Sequence, residues 1–179
     1  MTAYTVPLPQ NEPILNYSPG SPERKALDEK LSELKNTTIS IPMFINGTPV
    51  ETGTKKEIRC PHDTGHILGY YYEGGKAEAE KAIETALAAQ KQWADLPWEQ
   101  RAAVFLKAAE LIAGPYRATL NAATMLAHSK TVFQAEIDAV CELADFLRFN
   151  AYFAQQIQAV QPASTRGIWD RTDHRPLEG

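Results

Sequence analysis

KTVFQAEIDAVCELADFLRFNA, residues 130–151, decides the fold of this chain. Phe133, Ile137, Val140, Ala144, Leu147 and Ala151, with Ala154 just beyond, recur at spacings of four and three, the mark of a buried helix face rather than a strand. Glu136 falls three residues after Phe133 and four before Val140, so the spacing predicts a carboxylate at the edge of buried surface. Ionisation there is penalised unless a cation or a donor answers it. Lys130, Arg148 or a residue outside the chain are candidate partners. Asp145 and Arg148, three apart, read as a helix-surface ion pair. Cys141, four after Ile137, reads as an inert buried thiol.

Outward from this helix, residues 131–158 read as one uninterrupted element. Upstream, Ser21-Pro22 opens a short helix with a capping hydroxyl and a proline at the first helical position, and Leu27, Leu31 and Leu34 form its stripe. Ile39 to Ile45 and Thr48 to Val50 flank Asn46-Gly47, a strong hairpin signal, while Pro42 restricts the first run to an edge or a bulge. Glu57 to Cys60 and Ile67 to Tyr72 form a second pair around a turn at residues 61–65. From Lys76 the composition shifts to alanine and charge. Ala79, Ala82, Ile83, Ala86 and Leu87 mark one helix, Pro97 opens another that closes at Gly114-Pro115, and a third runs through Leu120 and Met125. A turn-rich stretch after Gln161-Pro162 leads to a final strand at Ile168-Trp169. The expected architecture is mostly α-helical with a small antiparallel β-sheet.

The length fits about one domain, and 44% hydrophobic residues suffice for a core. A net charge of -4 with no basic run argues against nucleic acid, and no apolar run reaches membrane-spanning length. Met1 to Gln10 holds Pro7 and Pro9 but no lysine or arginine, so a cytoplasmic location is expected.

Four stretches carry a family resemblance: Asn11-Glu12-Pro13 with Gly20-Ser21-Pro22-Glu23-Arg24, Phe105-Leu106-Lys107-Ala108-Ala109, the 130–151 segment, and Arg175-Pro176-Leu177-Glu178-Gly179. Together they resemble the L-glutamate gamma-semialdehyde dehydrogenase branch of the aldehyde dehydrogenase superfamily, from residue 11 to the end. The resemblance implies an α/β parent with a Rossmann-type cofactor domain that oxidises glutamate gamma-semialdehyde, formed from pyrroline-5-carboxylate, with NAD during proline breakdown. It implies a homo-oligomer, dimeric or dimer-based. It divides the chain into an arm and short helix (1–36), a small sheet (37–75), the helical part of the cofactor domain (76–160) and an incomplete strand leading toward the oligomerisation and nucleotide-binding segments (161–179). The family's cofactor loop and catalytic cysteine belong to later sequence, so the chain alone is expected to be inactive, to bind no NAD, and to have its own C-terminal portion as its partner. Glu136 aligns with the glutamate of the family's Gln-Ala-Glu-Ile-Asp motif, which lies near the substrate's amino-acid end, so the resemblance makes it a substrate-binding residue facing the ammonium group.

Other chemistry is weaker. Gly74-Gly75 reads as a turn before a helix and not as a phosphate loop. Cys60, His62 and His66 supply three possible zinc ligands without a fourth, and a turn explains the same residues; a Cys60/His62 nucleophilic pair lacks an orienting acid or an oxyanion hole. Two rival readings therefore stand beside the dehydrogenase: a non-catalytic helical interaction module and a small metal-binding protein.

Overall fold

The structure, a computed structural model, describes residues 5–174 and 177. Local signals hold where local chemistry governs. Ser21 Oγ accepts from Arg24 N at 3.2 Å and Pro22 takes the first helical position, giving α1 (Pro22–Lys35). Asn46 and Gly47 both take positive φ, 55° and 69°, the twist a two-residue hairpin needs, and join β2 (Met43–Ile45) to β3 (Thr48–Val50).

Pro42 does more than confine a strand to an edge. It splits the 39–45 run, because proline cannot donate to a ladder, so β1 (Ile39–Ile41) and β2 enter different sheets. β4 (Lys55–Cys60) and β5 (Asp63–Tyr72) form the expected antiparallel pair, with Cys60 opposite Asp63, so the turn shrinks to Pro61-His62. β1 joins the other edge of β5 in parallel, which makes this sheet mixed rather than purely antiparallel. Gly69 permits the contact: a Cβ there would lie 2.5 Å from Ile39 O.

The helices follow as α2 (Lys76–Asp95), α3 (Trp98–Ala113) and α4 (Arg117–His128). α4 is central. Its Ala122 packs with Tyr17 and Leu27, and its Leu126 packs with Cys60 and Leu68 of the sheet. A third cluster joins Val6 of the N-terminal arm to Ala102 of α3 and to Ala151. Arm, sheet and helices thus share cores across the boundaries expected from sequence. α2 buries none of its residues, and Ile83 on its apolar face is 60% exposed.

The long helix is interrupted. α5 (Val132–Ala135) passes into a wide π-type turn over Glu136–Cys141 before α6 (Glu142–Ala159), and Glu142 N–H reaches back five residues to Ile137 O. One extra residue rotates the preceding face by about 100°. Val140, Ala144 and Ala151 are therefore buried as expected, but upstream the buried positions are Ala135 and Glu136, and Phe133 is 60% exposed.

The strand expected at Ile168-Trp169 does not form within residues 161–174. A strand needs a neighbour, and none of the described strands lies beside it. Instead the Gln161 amide donates to Thr172 O at 3.2 Å and accepts from Thr172 N at 2.9 Å, closing a loop. Of the Arg175-Pro176-Leu177-Glu178-Gly179 stretch, only Leu177 is among the described residues.

Candidate functional site

Thr131 caps α5: its hydroxyl accepts from Gln134 N at 3.3 Å while Gln134 Oε1 accepts from Thr131 N at 2.9 Å. This box and the wide turn aim Glu136 inward. Its carboxylate is 0% exposed, enclosed rather than at the edge of a buried face, because the extra residue of the turn rotates it into the core.

Among the described residues its donors come from the N-terminal arm and from α4. Leu15 N donates to Oε1 at 2.9 Å, and Tyr17 OH and Asn121 Nδ2 each donate to Oε2 at 2.7 Å. Arg117 contacts both oxygens through Nε, at 3.1 and 3.3 Å, and Oε1 through Nη2. Burial alone would push the carboxyl up, but Arg117, Leu15 N–H, Tyr17 and Asn121 hold it below the usual carboxylate range. Tyr17 is pushed up to about 12 by burial and by the adjacent Glu136 carboxylate. Arg117 loses hydration by burial, yet Glu136 and Glu12 bind its proton more tightly than usual.

The network continues into the arm. Arg117 Nη1 donates to Glu12 Oε1 at 2.6 Å and Nη2 to Pro13 O at 2.7 Å, while Arg148 Nη1 donates to Glu12 Oε2 at 2.7 Å. Asp145 accepts from Asn11 Nδ2 and from Glu12 N, both at 2.7 Å. Gln155 Oε1 accepts from Val6 N at 2.5 Å. Acceptors at 136, 145 and 155 therefore take the backbone N–H groups of residues 15, 12 and 6, so the arm runs antiparallel along the long helix. This gives Asn11-Glu12-Pro13 its physical meaning as a clasp.

The partners expected for Glu136 lie elsewhere: Lys130 pairs with Asp138, and Arg148 pairs with Glu12. The Asp145/Arg148 surface pair is instead part of the clasp, at 3.7 Å. Sequence spacing missed Arg117, Tyr17 and Asn121, since no periodicity links them to Glu136; an arginine facing an inward helix position was the available hint. Cys141 lies inside the network, with Sγ 3.6 Å from Arg117 Nη2, and its thiol is pushed up to about 11 by burial and then by the Glu136 charge.

An open apolar groove runs along the outer side of the wide turn, lined by Ile14, Ile137, Phe146, Phe149 and Phe153 with Glu12 and Asp145 at its polar margin. Glu136 does not line it. Its oxygens are occupied, so it can serve as a fixed internal anion but has no free lone pair for proton abstraction or for a ligand.

Cys60 and His62 do touch, but among the described residues no group of three His, Cys, Asp or Glu is placed to hold a metal ion. At the start of α2, Gly75 N donates at 2.7 Å to the Glu78 carboxylate. This is an ordinary capping contact, in keeping with Gly74-Gly75 as a turn before a helix.

The aldehyde dehydrogenase family model matches residues 48–179. The chain is 44% identical to the delta-1-pyrroline-5-carboxylate dehydrogenase of Agaricus bisporus over 100% of its own length and 33% of that protein. It is 45% identical to the Bos taurus enzyme, named mitochondrial, over 94% of this chain and 30% of the relative. The crystal structure of the Mycobacterium tuberculosis delta-pyrroline-5-carboxylate dehydrogenase bound with NAD superimposes with a TM-score of 0.97 at 48% identity, covering 100% of this chain and 34% of that one. The chain spans about a third of the length of the relatives it matches. With three quarters of its residues in the family match and 94% or more of its length shared with these relatives, this chain belongs to the aldehyde dehydrogenase family.

Proposed function

We propose that these 179 residues form the N-terminal third of an NAD-dependent dehydrogenase that oxidises L-glutamate gamma-semialdehyde, derived from pyrroline-5-carboxylate, to L-glutamate in proline catabolism. One observation carries the reading: the likeness to a delta-pyrroline-5-carboxylate dehydrogenase runs over the entire chain, including the Asn11-Glu12-Pro13 arm and the wide-turn helix. NAD, when bound, supplies the hydride acceptor. The residues described here take no chemical step, and they place the clasp behind an apolar groove.

The resemblance puts Glu136 near the substrate's ammonium group. Because its oxygens are already taken by Arg117, Tyr17, Asn121 and Leu15 N, we assign it an indirect part, holding the arm and the wide turn that shape that end of the parent's pocket. No helix among the described residues is long and apolar enough to cross a membrane, and the reading extends to a cytoplasmic, dimer-based homo-oligomer. The interaction-module reading merges with it, since the exposed apolar residues of α6 would meet the parent's own C-terminal portion.

The test is NADH formation from pyrroline-5-carboxylate by the complete gene product carrying this sequence, beside a calorimetric titration of NAD into the 179 residues alone. Turnover by the former and no saturable micromolar binding by the latter are expected. A complete product that reduces NAD only with unrelated aldehydes overturns the substrate assignment.

A further inference from the structure

Between α3 and α6 lies a second cleft, of about 440 Å³, large enough for a two-ring ligand. Ala102 of α3 and Ala151 of α6 are small, buried together in one core cluster, and leave room between the two helices. Trp98, packed against that cluster, lines the cleft with Trp93 of α2, Phe105 and Leu147. The Trp93 indole is 39% exposed, so solvent reaches the slot. Three polar side chains share this lining: Arg101, Asn150 and Gln158. Arg101 is the only charged one. The residues three and four away from it on α3 are Pro97, Trp98, Val104 and Phe105, so its own helix offers no carboxylate, unlike Lys107, which pairs with Glu110 at 3.0 Å. Among the described residues its guanidinium makes no ion pair, side-chain hydrogen bond or cation–π contact, and the Asn150 and Gln158 amides are equally unengaged.

We propose that this cleft is a binding site for small aromatic carboxylates. The planar guanidinium of Arg101 presents a fork of donors that matches a carboxylate, and the two indoles with Phe105 supply flat apolar surface for a ring beside it. The Asn150 and Gln158 amides hold donors and acceptors for a ring substituent. Glutamate semialdehyde has no ring to fill the apolar part, so the ligand is not the proposed substrate, and the site stands whether or not the dehydrogenase reading does.

The experiment titrates the full chain by calorimetry with 2-naphthoate and with its neutral twin 2-naphthalenemethanol, and follows the indole N–H signals of Trp93, Trp98 and Trp169 by NMR. Expected are saturation by the naphthoate at about 0.1–1 mM, the range open to a ligand of this size, and weaker binding of the alcohol. The Trp93 and Trp98 signals should shift, and that of Trp169, 80% exposed in the 161–174 loop, should not. Arg101→Gln should weaken the naphthoate at least about tenfold and leave the alcohol unchanged, while Trp93→Ala weakens both. Arg101 has no partner to lose among the described residues, so its variant should fold, as circular dichroism will verify. The complete gene product should bind the naphthoate as well. Equal affinity for the two probes overturns the proposal, as does a folded Arg101→Gln chain that binds at the original strength. So does naphthoate that binds the 179 residues but not the complete product, because the protein's own later residues then fill the cleft.

Discussion

A carboxylate fully withdrawn from water is unfavourable by several kcal/mol unless donors replace its hydration, and Glu136 has that replacement in Arg117, Tyr17, Asn121 and the Leu15 N–H. Removing one member leaves the others buried and unanswered. Glu136→Gln should therefore destabilise the chain by about 3–5 kcal/mol in denaturant titrations. The folded carboxyl is held below its unfolded value, so its contribution is present above the unfolded pKa of about 4.3 and is lost as pH falls through the folded one. The variant should lose that acid limb, and an unchanged acid limb would contradict the assignment. Tyr17 has the opposite sign. Its folded pKa of about 12 exceeds the unfolded value of about 10, so stability present below the latter is lost as pH rises through the former. Tyr17→Phe should flatten that alkaline limb and cost about 1.5–3 kcal/mol, the range for a hydrogen bond to a charged group. In the complete enzyme, a positioning role for Glu136 predicts losses on the semialdehyde and on simple aliphatic aldehydes alike, whereas a direct contact with the ammonium group would spare the simple aldehydes.

Elements were legible in the sequence where their signals are local. The Ser21-Pro22 start, the Asn46-Gly47 hairpin and the Gly114 stop each depend on a few adjacent residues, and each appears. The parallel pairing of β1 with β5 depends on a glycine thirty residues away, and the wide turn inserts one residue without altering the apolar composition around it, so neither shows in periodicity. The site was half legible for the same reason. Glu136 stood out as an acid needing an answer, but its answer lies on α4 and in the arm, at sequence distances no helical spacing encodes. Gly69→Ala tests the sheet: its Cβ would lie 2.5 Å from Ile39 O and 2.6 Å from Ile39 Cγ1. We expect about 1–3 kcal/mol of destabilisation and loss of amide-exchange protection in β1, with β4 retaining its own. For the clasp, a double-mutant cycle on Glu12→Ala and Arg148→Ala should give a coupling of about 0.5–3 kcal/mol, and additivity would show that the arm is not held by this pair.

Across the molecule the cores are small and shared, while much apolar surface faces outward. Phe146, Phe153 and Ile157 of α6 and Ile83 and Leu87 of α2 are all more than half exposed. Such surface favours association, so the isolated chain should self-associate in light scattering, and a cleanly monomeric, cooperatively melting 19.8 kDa species would argue that these faces need no cover. On the proposed reading, this surface and the clasp behind it fit the remainder of a glutamate semialdehyde dehydrogenase. The most direct measurement replaces the matching third of the Mycobacterium tuberculosis enzyme with these 179 residues and follows NADH formation from pyrroline-5-carboxylate. The account predicts a folded chimera that retains NAD-dependent oxidation; a folded chimera that binds NAD but leaves the semialdehyde untouched would contradict it.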